Sequence, residues 1–196
     1  MKALRILLAE DDPAVAASVE QELRALGHEI VGEAATGKEA VSLAAQIEPD
    51  LVVMDIMMPD GDGIEAARQI AERSPTPVVF LSGYFDEDLL EGVVASGGLA
   101  YLLKPATSDQ LQAALTLAQE QFRQMKDLRD QARRLEQALE ARKLVTRAKG
   151  LLMQRHCLTE EEAHRRMQKE ASRSNMKLVD LARAILAAEP FVGEEP

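Results

Sequence analysis

Five short apolar segments alternate with stretches of helical periodicity in the first 106 residues. The segments are Leu4–Ala9, Glu29–Gly32, Leu51–Met54, Pro77–Leu81 and Leu99–Leu103. Four of them are continuous apolar runs bounded by turn residues, as is typical of parallel strands buried on both faces. Between the segments, apolar residues recur every three or four positions, which indicates helices. The pattern therefore predicts an α/β domain with a doubly wound, five-stranded parallel sheet and right-handed crossovers.

Local signals mark where two of these helices begin. Asp12 precedes Pro13 and is expected to be an N-cap followed by a proline at the first helical position. Thr36 and Glu39 have the three-residue spacing of a capping box.

A single long helix is predicted after residue 106, because the chain has no proline between Thr107 and Arg155 and no glycine before Gly150. Its apolar residues are three or four positions apart for about four heptads, a coiled-coil-type stripe. They are Leu111, Leu115, Ala118, Phe122, Met125, Leu128, Ala132, Leu135 and Leu139. So narrow a stripe needs a partner, either a second chain, which is the favoured alternative, or another part of the same protein.

The last fifty residues predict a small all-α module of three helices. An apolar face continues through Ala148, a capping box at Thr159 and Glu162 opens a second helix, and Asn175 interrupts the pattern before a third. Such short helices are not stable alone, so they are expected to pack on the end of the long helix. The predicted boundaries are 1–106 for the α/β domain, 107–140 for the linker helix, 141–188 for the helical module and 189–196 for a tail.

Charge is divided along the same boundaries. Residues 1–106 contain 7 basic and 19 acidic residues, whereas residues 141–188 contain 11 basic and 5 acidic residues. The formal net charge of −10 excludes a uniformly basic nucleic-acid-binding protein, but not a cationic module. Aromatic residues make up only 3% of the chain, which disfavours extensive base stacking.

Composition and termini narrow the class of protein further. The single cysteine, Cys157, excludes an intrachain disulfide and a cysteine-based zinc site. The N-terminus turns acidic after Ala9, unlike a signal peptide, and the longest apolar runs fall far short of the ~20 residues of a membrane helix. We therefore expect a soluble, cytoplasmic protein with no membrane partner.

Reactive side chains follow the predicted strands where a doubly wound sheet forms its site. They are Glu10 and Asp11 after the first strand, Asp55 after the third, Ser82 after the fourth and Lys104 after the fifth. Two carboxylates about 4 Å apart repel by about 4 kcal/mol at an effective dielectric of about 20, which a divalent cation relieves. Hard oxygen ligands on a sparse site favour Mg²⁺.

A carboxylate is the expected nucleophile at these strand ends, because no histidine or cysteine lies near them. Once Mg²⁺ is bound, it and Lys104 would neutralise a phosphoryl group delivered to Asp55. The Ser82 hydroxyl would donate a hydrogen bond to a phosphoryl oxygen.

Separated motifs in residues 1–106 resemble the receiver domain of two-component response regulators, which has a flavodoxin-like fold. They are Leu7–Asp12, Met54–Gly63, Leu81–Gly83 and Ala100–Pro105, in the family's order and spacing. The resemblance implies that Asp55 is the phospho-acceptor and that a sensor histidine kinase is the donor. Gly83 departs from the family, which more often has alanine there.

The same resemblance assigns roles to the remaining site residues. Asp11, Asp55 and the main-chain carbonyl of Met57 would be direct Mg²⁺ ligands, and Glu10 would act through water. Ser82 would be the switch hydroxyl, Tyr101 the switch aromatic residue and Lys104 the phosphate-contacting lysine, with a cis peptide bond before Pro105.

The basic module admits more than one interpretation from charge alone. Its cations are typical of phosphate-backbone binding, but they would equally dock the module on an acidic domain. Charge also does not distinguish RNA from DNA, and a three-helix module can place a helix in a DNA major groove.

Residues 138–188 resemble the ANTAR module, named for antiterminator regulators. The similarity lies in Arg142–Met153, Leu158–Ala163 and Asn175–Ala182. It implies an RNA-binding domain that recognises leader-mRNA stem-loops, and a homodimer. The residues expected to contact RNA are Arg142, Arg147, Lys149, Arg155, Arg165, Arg166, Lys169 and Lys177. Cys157 stands where the family usually has glycine and is expected to be semi-buried, and the turn there is expected to differ slightly because cysteine disfavours a positive φ.

The combined prediction is a phosphorylation-dependent response regulator that promotes transcription antitermination. Two alternatives remain: a DNA-binding transcriptional regulator with the same receiver, and a dimerisation or partner-protein module without RNA binding. We expect no enzymatic activity beyond self-phosphorylation from a donor and slow self-hydrolysis.

Overall fold

The computed structural model describes residues 3–59, 61–84 and 87–188. The predicted tail at 189–196 and Asp60 of the motif after the third strand lie outside these residues. The chain divides into two compact units, residues 1–126 and 127–196.

Five parallel strands form the sheet of the first unit. They are β1 (Arg5–Ala9), β2 (Glu29–Ala34), β3 (Leu51–Asp55), β6 (Val78–Ser82) and β7 (Ala100–Leu103). Their order across the sheet is β2-β1-β3-β6-β7, which confirms the predicted doubly wound fold. Two short strands, β4 (Met57–Met58) and β5 (Gly61–Asp62), pair antiparallel directly after β3.

Four helices connect the strands, and three more follow them. They are α1 (Pro13–Ala25), α2 (Gly37–Ile47), α3 (Gly63–Arg73), α4 (Glu87–Ala95), α5 (Ser108–His156), α6 (Glu160–Arg173) and α7 (Leu178–Ala187). Asp12 caps α1 as predicted, because its side chain accepts from the amides of Ala14 and Val15. The box predicted at Thr36 is only half formed, since Thr36 accepts from the Glu39 amide but the Glu39 carboxylate accepts from Ala35 instead.

Both faces of the sheet are covered, as the continuous apolar strands predicted. Phe80, Met54 and Leu7 belong to one core cluster, which α2 and α3 complete. The opposite cluster contains strand residues such as Leu8 and Leu81, together with α1. The first turns of α5 also belong to this second cluster, with Leu111, Leu115 and Ala118 fully buried.

The apolar stripe of α5 is therefore divided between two environments. Its first residues pack on the sheet of the same chain. For these residues the partner is therefore part of the same protein, and the favoured prediction of a second chain is wrong. The later residues are exposed, with Leu128 at 64%, Leu135 at 71% and Leu139 at 54%. The spacing of three or four residues does not by itself separate the buried residues from the exposed ones, because it does not record what lies opposite the helix.

The second unit has a small hydrophobic core where the end of α5, α6 and α7 pack against one another. Ala148 of α5, Met167 of α6 and Ala182 of α7 form its centre, surrounded by partly buried leucines, isoleucine and valine. The predicted capping box is present in full at Thr159 and Glu162. Cys157 and Asn175 both have a φ of 51°, so the turn after α5 adopts the left-handed conformation without a glycine. Cys157 is exposed, and its predicted partial burial is wrong.

Among the described residues, no helix combines the length and the apolar character needed to cross a membrane.

Candidate functional site

The carboxyl ends of four parallel strands position the side chains of the candidate site. Glu10 follows β1, Asp55 ends β3, Ser82 ends β6 and Lys104 follows β7. The register places Asp55 opposite Leu81 and Ser82 opposite Leu103, so these residues lie along one edge of the sheet. Parallel strands bring their carboxyl ends to the same edge, which is why residues far apart in sequence meet here.

Three carboxylates come together at this edge. One oxygen from each of Glu10, Asp11 and Asp55 lies within 4.8 Å of the other two. Glu10 and Asp55 are buried, whereas Asp11 is exposed. Burial raises the pKa of Glu10, and the negative charge of Asp55 raises it further, against the opposing effect of Lys104. The cluster therefore concentrates negative charge that a cation would stabilise.

Lys104 is the cation that the chain itself supplies. Its Nζ lies 2.5 Å from Glu10 Oε2 and 2.8 Å from Asp55 Oδ2, and 17% of the side chain is exposed. Burial alone would lower the pKa of Lys104, but its contacts with Asp55 and Glu10 raise it overall. The peptide bond between Lys104 and Pro105 is cis.

The Asp55 carboxylate is held from both sides. Oδ2 contacts Lys104, and Oδ1 accepts a hydrogen bond of 3.2 Å from the Met57 amide. The Met57 side chain is 58% exposed. Gly63 lies against the same residue, because a Cβ built at Gly63 would be 2.1 Å from the Asp55 carbonyl oxygen. The sequence prediction missed this role of Gly63, which only a close approach in three dimensions reveals.

Ser82 and Tyr101 share one hydrogen-bond acceptor. The Ser82 hydroxyl, which is fully buried, donates to the Tyr84 carbonyl over 2.9 Å, and the Tyr101 hydroxyl donates to the same oxygen over 2.6 Å. The Tyr101 ring is half-buried against the core cluster that contains Phe80. Sequence reasoning did not find the Tyr84 carbonyl, since a main-chain acceptor leaves no signal in residue type.

The basic residues predicted to contact RNA lie in the second unit, and most of them face solvent. Those classed as exposed are Arg142, Arg147, Arg155, Arg165, Arg166, Lys169 and Lys177. Lys149 differs, because only 17% of its side chain is exposed and its Nζ lies 2.5 Å from Glu160 Oε1. This contact holds the pKa of Glu160 below its ordinary value. Lys149 therefore joins α5 to the start of α6.

Comparison with known proteins identifies both parts of the chain. The family model for the response regulator receiver domain matches residues 6–116, and that for the ANTAR domain matches residues 133–186. The chain is 44% identical over 177 residues to the transcriptional regulatory protein PdtaR of Mycobacterium tuberculosis, covering 89% of this chain and 86% of that protein.

A further relative and a solved structure match a smaller share of the chain. A protein-glutamate methylesterase/protein-glutamine glutaminase of Myxococcus xanthus is 46% identical over 105 residues, covering 52% of this chain and 30% of that protein. The crystal structure of the signal receiver domain of a modulated diguanylate cyclase from Desulfovibrio desulfuricans superposes with a TM-score of 0.59 at 27% identity. It covers 63% of this chain and 99% of that domain.

Proposed function

Because the chain belongs to the response regulators that join a receiver domain to a C-terminal ANTAR domain, we propose that phosphorylation of Asp55 controls RNA binding by its basic second unit. The observation that carries the proposal is the meeting of Asp55 with Lys104 and Glu10 at the ends of β3, β7 and β1. A buried carboxylate beside a half-buried ammonium is a suitable acceptor for a dianionic phosphoryl group.

Asp55 acts as the nucleophile in the proposed transfer. One of its carboxylate oxygens forms a bond to phosphorus, while the bond between phosphorus and the donor's leaving atom breaks. The donor is a phosphohistidine of a sensor kinase. Lys104 moves from the carboxylates to the arriving phosphoryl oxygens, because its Nζ already lies 2.8 Å from Asp55. We expect no catalysis beyond this transfer and a slow hydrolysis, in which water takes the phosphoryl group from Asp55 and releases inorganic phosphate.

The acidic cluster fits Mg²⁺, since Glu10, Asp11 and Asp55 supply oxygen donors within 4.8 Å of one another. The main-chain carbonyl of Met57 is the third proposed direct ligand, beside Asp11 and Asp55, and Glu10 acts through water. When bound, Mg²⁺ supplies positive charge that offsets the charge of the phosphoryl group and of the carboxylates. The raised pKa of Glu10 means that protons compete for this residue at higher pH than for an ordinary glutamate.

Ser82 and Tyr101 transmit the structural effect of phosphorylation from Asp55 to the surface near β7. In the proposed modified state the Ser82 hydroxyl donates to a phosphoryl oxygen and leaves the Tyr84 carbonyl, which it now shares with Tyr101. The Tyr101 ring then turns inward, and the surface near β7 repacks. Shifting a 1:99 equilibrium to 99:1 takes about 5.5 kcal/mol, which a few charge-assisted hydrogen bonds of ~1.5–3 kcal/mol each supply.

RNA is the proposed target of the second unit. Its exposed arginines and lysines are the charge pattern of phosphate-backbone binding, and we propose that they bind leader-mRNA stem-loops so that a transcription terminator does not form. Two copies act together in this proposal, because paired stem-loops present two sites. Their cooperation makes the output dependent on association of the chain as well as on phosphorylation.

Binding of a stem-loop RNA with and without phosphorylation tests the proposal. The protein is incubated with acetyl phosphate and Mg²⁺, its intact mass is measured, and its affinity for an RNA with two adjacent stem-loops is determined by gel shift. We expect a phosphoryl adduct and tighter RNA binding. Asp55→Asn should show neither, whereas Asp12→Asn, which keeps the helix cap, should behave as the parent protein.

Competitors separate the proposed function from its alternatives. The duplex DNA of the same sequence should compete weakly against the RNA. Preferential binding of the duplex would favour a DNA-binding regulator, and retention of neither nucleic acid would leave a dimerisation or partner-protein output. An adduct that forms equally on Asp55→Asn would contradict the assignment of the acceptor.

A further inference from the structure

The ion pair between Lys149 and Glu160 differs from the other ion pairs of the second unit. It joins α5 to α6, and 17% of the Lys149 side chain and 70% of the Glu160 side chain are exposed. The other pairs that the described part of this unit contains each join residues three or four positions apart on one helix. They are Glu140 with Lys143, Glu161 with Arg165, Glu170 with Arg173 and Asp180 with Arg183. Lys149 is therefore held from outside its own helix.

The positions of both residues on their helices explain this contact. Glu160 lies seven residues before Met167, nearly two turns of α6, and so shares the face that packs on the small core around Ala148. Lys149 directly follows Ala148 and lies seven residues after Arg142, which is exposed on the same side of α5. The Lys149 ammonium thus lies at the border between the hydrophobic core and a basic surface that faces solvent.

Three successive glutamates begin α6, and each has a different contact. Glu162 completes the capping box with Thr159. Glu161 pairs with Arg165 on the same helix over 3.0 Å, and both of these side chains are largely exposed. Glu160 takes no part in the cap, and its hydrogen-bond partner is Lys149. The start of α6 therefore does not need the Glu160 carboxylate for its own capping.

We propose that the Glu160 carboxylate occupies the place on Lys149 that an RNA phosphate oxygen takes, so that RNA binds there only after Glu160 leaves. This inference rests on the proposed function. A carboxylate and a phosphate both offer anionic oxygens to an ammonium group. The side chain of Lys149 is mostly covered and has its three donors on one nitrogen, so a phosphate cannot bind it beside Glu160. Arg165 differs, because an exposed guanidinium has five donors and can keep Glu161 while it binds a phosphate.

Displacement of Glu160 requires little free energy. Its side chain is already largely exposed and returns to water, and ion pairs with one exposed partner are weak. A phosphate of a bound stem-loop is in addition held near Lys149 by the contacts of the same RNA with other cations, which the free carboxylate lacks. Glu160 therefore lowers the affinity for RNA without abolishing it.

Two neighbouring charge-removing variants of the full-length chain test the inference. Glu160→Gln keeps the size of the side chain and should bind an RNA with two adjacent stem-loops about fivefold more tightly, as expected from the loss of one weak ion pair. Glu161→Gln removes the same charge one residue away and should change the affinity by less than about twofold. Filter binding at constant salt concentration measures both. Equal gains would show an effect of net charge alone and would overturn the inference.

Removal of the ammonium shows whether Glu160 acts through Lys149. Lys149→Met retains an unbranched side chain for the covered part and should weaken RNA binding. In the Lys149→Met background, Glu160→Gln should then increase the affinity no more than Glu161→Gln does, because no ammonium is left to release. A fivefold gain in that background would assign the effect of Glu160 to another contact and overturn the inference. If Lys149→Met does not fold, as judged by circular dichroism, the comparison of Glu160→Gln with Glu161→Gln decides.

Urea denaturation separates competition with RNA from a purely structural role of the pair. We expect Glu160→Gln to bind RNA more tightly although its free energy of unfolding is unchanged or lower, since the variant lacks an ion pair between two helices. A pair that only fastens α6 to α5 would give a lower free energy of unfolding together with unchanged or weaker RNA binding. That result would contradict the inference.

The parent protein distinguishes failure of this inference from failure of the proposed function. If the parent binds no stem-loop RNA with or without phosphorylation, the proposed function fails and the inference fails with it. If the parent binds the RNA and Glu160→Gln binds it no more tightly than Glu161→Gln does, only the inference is refuted.

Discussion

Gly63 determines how closely α3 approaches the acceptor strand. Its amide donates to the Ile56 carbonyl over 2.9 Å, and a Cβ at this position would be 2.1 Å from the Asp55 carbonyl oxygen. A Cβ atom this close to a main-chain oxygen would force the main chain to move. Glycine is therefore required at position 63 because there is no room for a side chain. Gly83 is the contrasting case, because a Cβ there would meet nothing within 4 Å.

This contrast gives a matched pair of variants. We expect Gly63→Ala to displace Asp55, to slow phosphorylation by acetyl phosphate and to lower the free energy of unfolding by about 1–3 kcal/mol. Gly83→Ala should leave phosphorylation unchanged and raise the free energy of unfolding by about 0.4–1 kcal/mol, since alanine restricts the unfolded chain. Urea denaturation and intact mass measure the two effects. Equal behaviour of the two variants would argue against a positioning role for Gly63.

At the scale of elements, caps determine where helices begin, and the chain contains two versions of the same motif. At α6 the box is complete, since Glu162 donates its amide to Thr159 Oγ1 and accepts from the Thr159 amide at 2.8 Å. The hydrogen bond from the Thr159 main chain lowers the pKa of Glu162. At α2 only the threonine half is formed. The same residue spacing therefore has two outcomes, which depend on the path of the chain before the helix.

Removal of the complete cap should loosen α6 selectively. We expect Thr159→Ala to reduce the local stability of α6 by about 0.5–2 kcal/mol, while Thr159→Ser retains the hydroxyl and most of the stability. Hydrogen exchange of the α6 amides measures the change. The pKa of Glu162 is lowered, so its ionised carboxylate stabilises α6 at any pH above the ordinary glutamate pKa. This stabilisation is lost as the pH falls through the lowered pKa. No difference between the two variants would show that the cap contributes nothing.

At the scale of the whole molecule, opposite charges are concentrated in different parts of the chain. The acidic excess in residues 1–106 repels a polyanion such as RNA, whereas the exposed cations of the second unit attract phosphates. A protein with net charge −10 can thus bind a polyanion through one module. The interaction should depend strongly on salt, because each phosphate contact releases counterions.

The dependence of RNA affinity on salt concentration therefore gives the number of phosphates that the protein neutralises. The slope of log K against log salt is about −0.7 for each phosphate neutralised on a single strand and about −0.9 on duplex DNA, and a stem-loop RNA is expected to fall in this range. Arg166→Glu should reduce affinity for the stem-loop RNA and make this slope shallower, whereas Arg73→Glu, an exposed residue of the first unit, should change neither. Filter binding at several salt concentrations provides the slopes. An equal loss with Arg73→Glu would indicate an effect of net charge rather than of the basic surface.

The sequence by itself determined the succession of elements and the residues at the ends of the strands. Hydrophobic periodicity separates buried strands from helices, and parallel strands must bring Asp55, Ser82 and Lys104 to one edge of the sheet. The motifs at those ends were sufficient to identify the family. These features depend on residues close together in the sequence, so they can be read from the order of the residues alone.

Only the tertiary structure decided which surfaces and atoms meet. It divided one periodic stripe into Leu111–Ala118, buried on the sheet, and Leu128–Leu139, exposed. It paired Lys149 with Glu160 and brought Gly63 against the Asp55 carbonyl. Periodicity specifies the face of a helix but not what lies opposite it, and residue type does not reveal a main-chain contact. These features depend on distances between segments that are far apart along the chain.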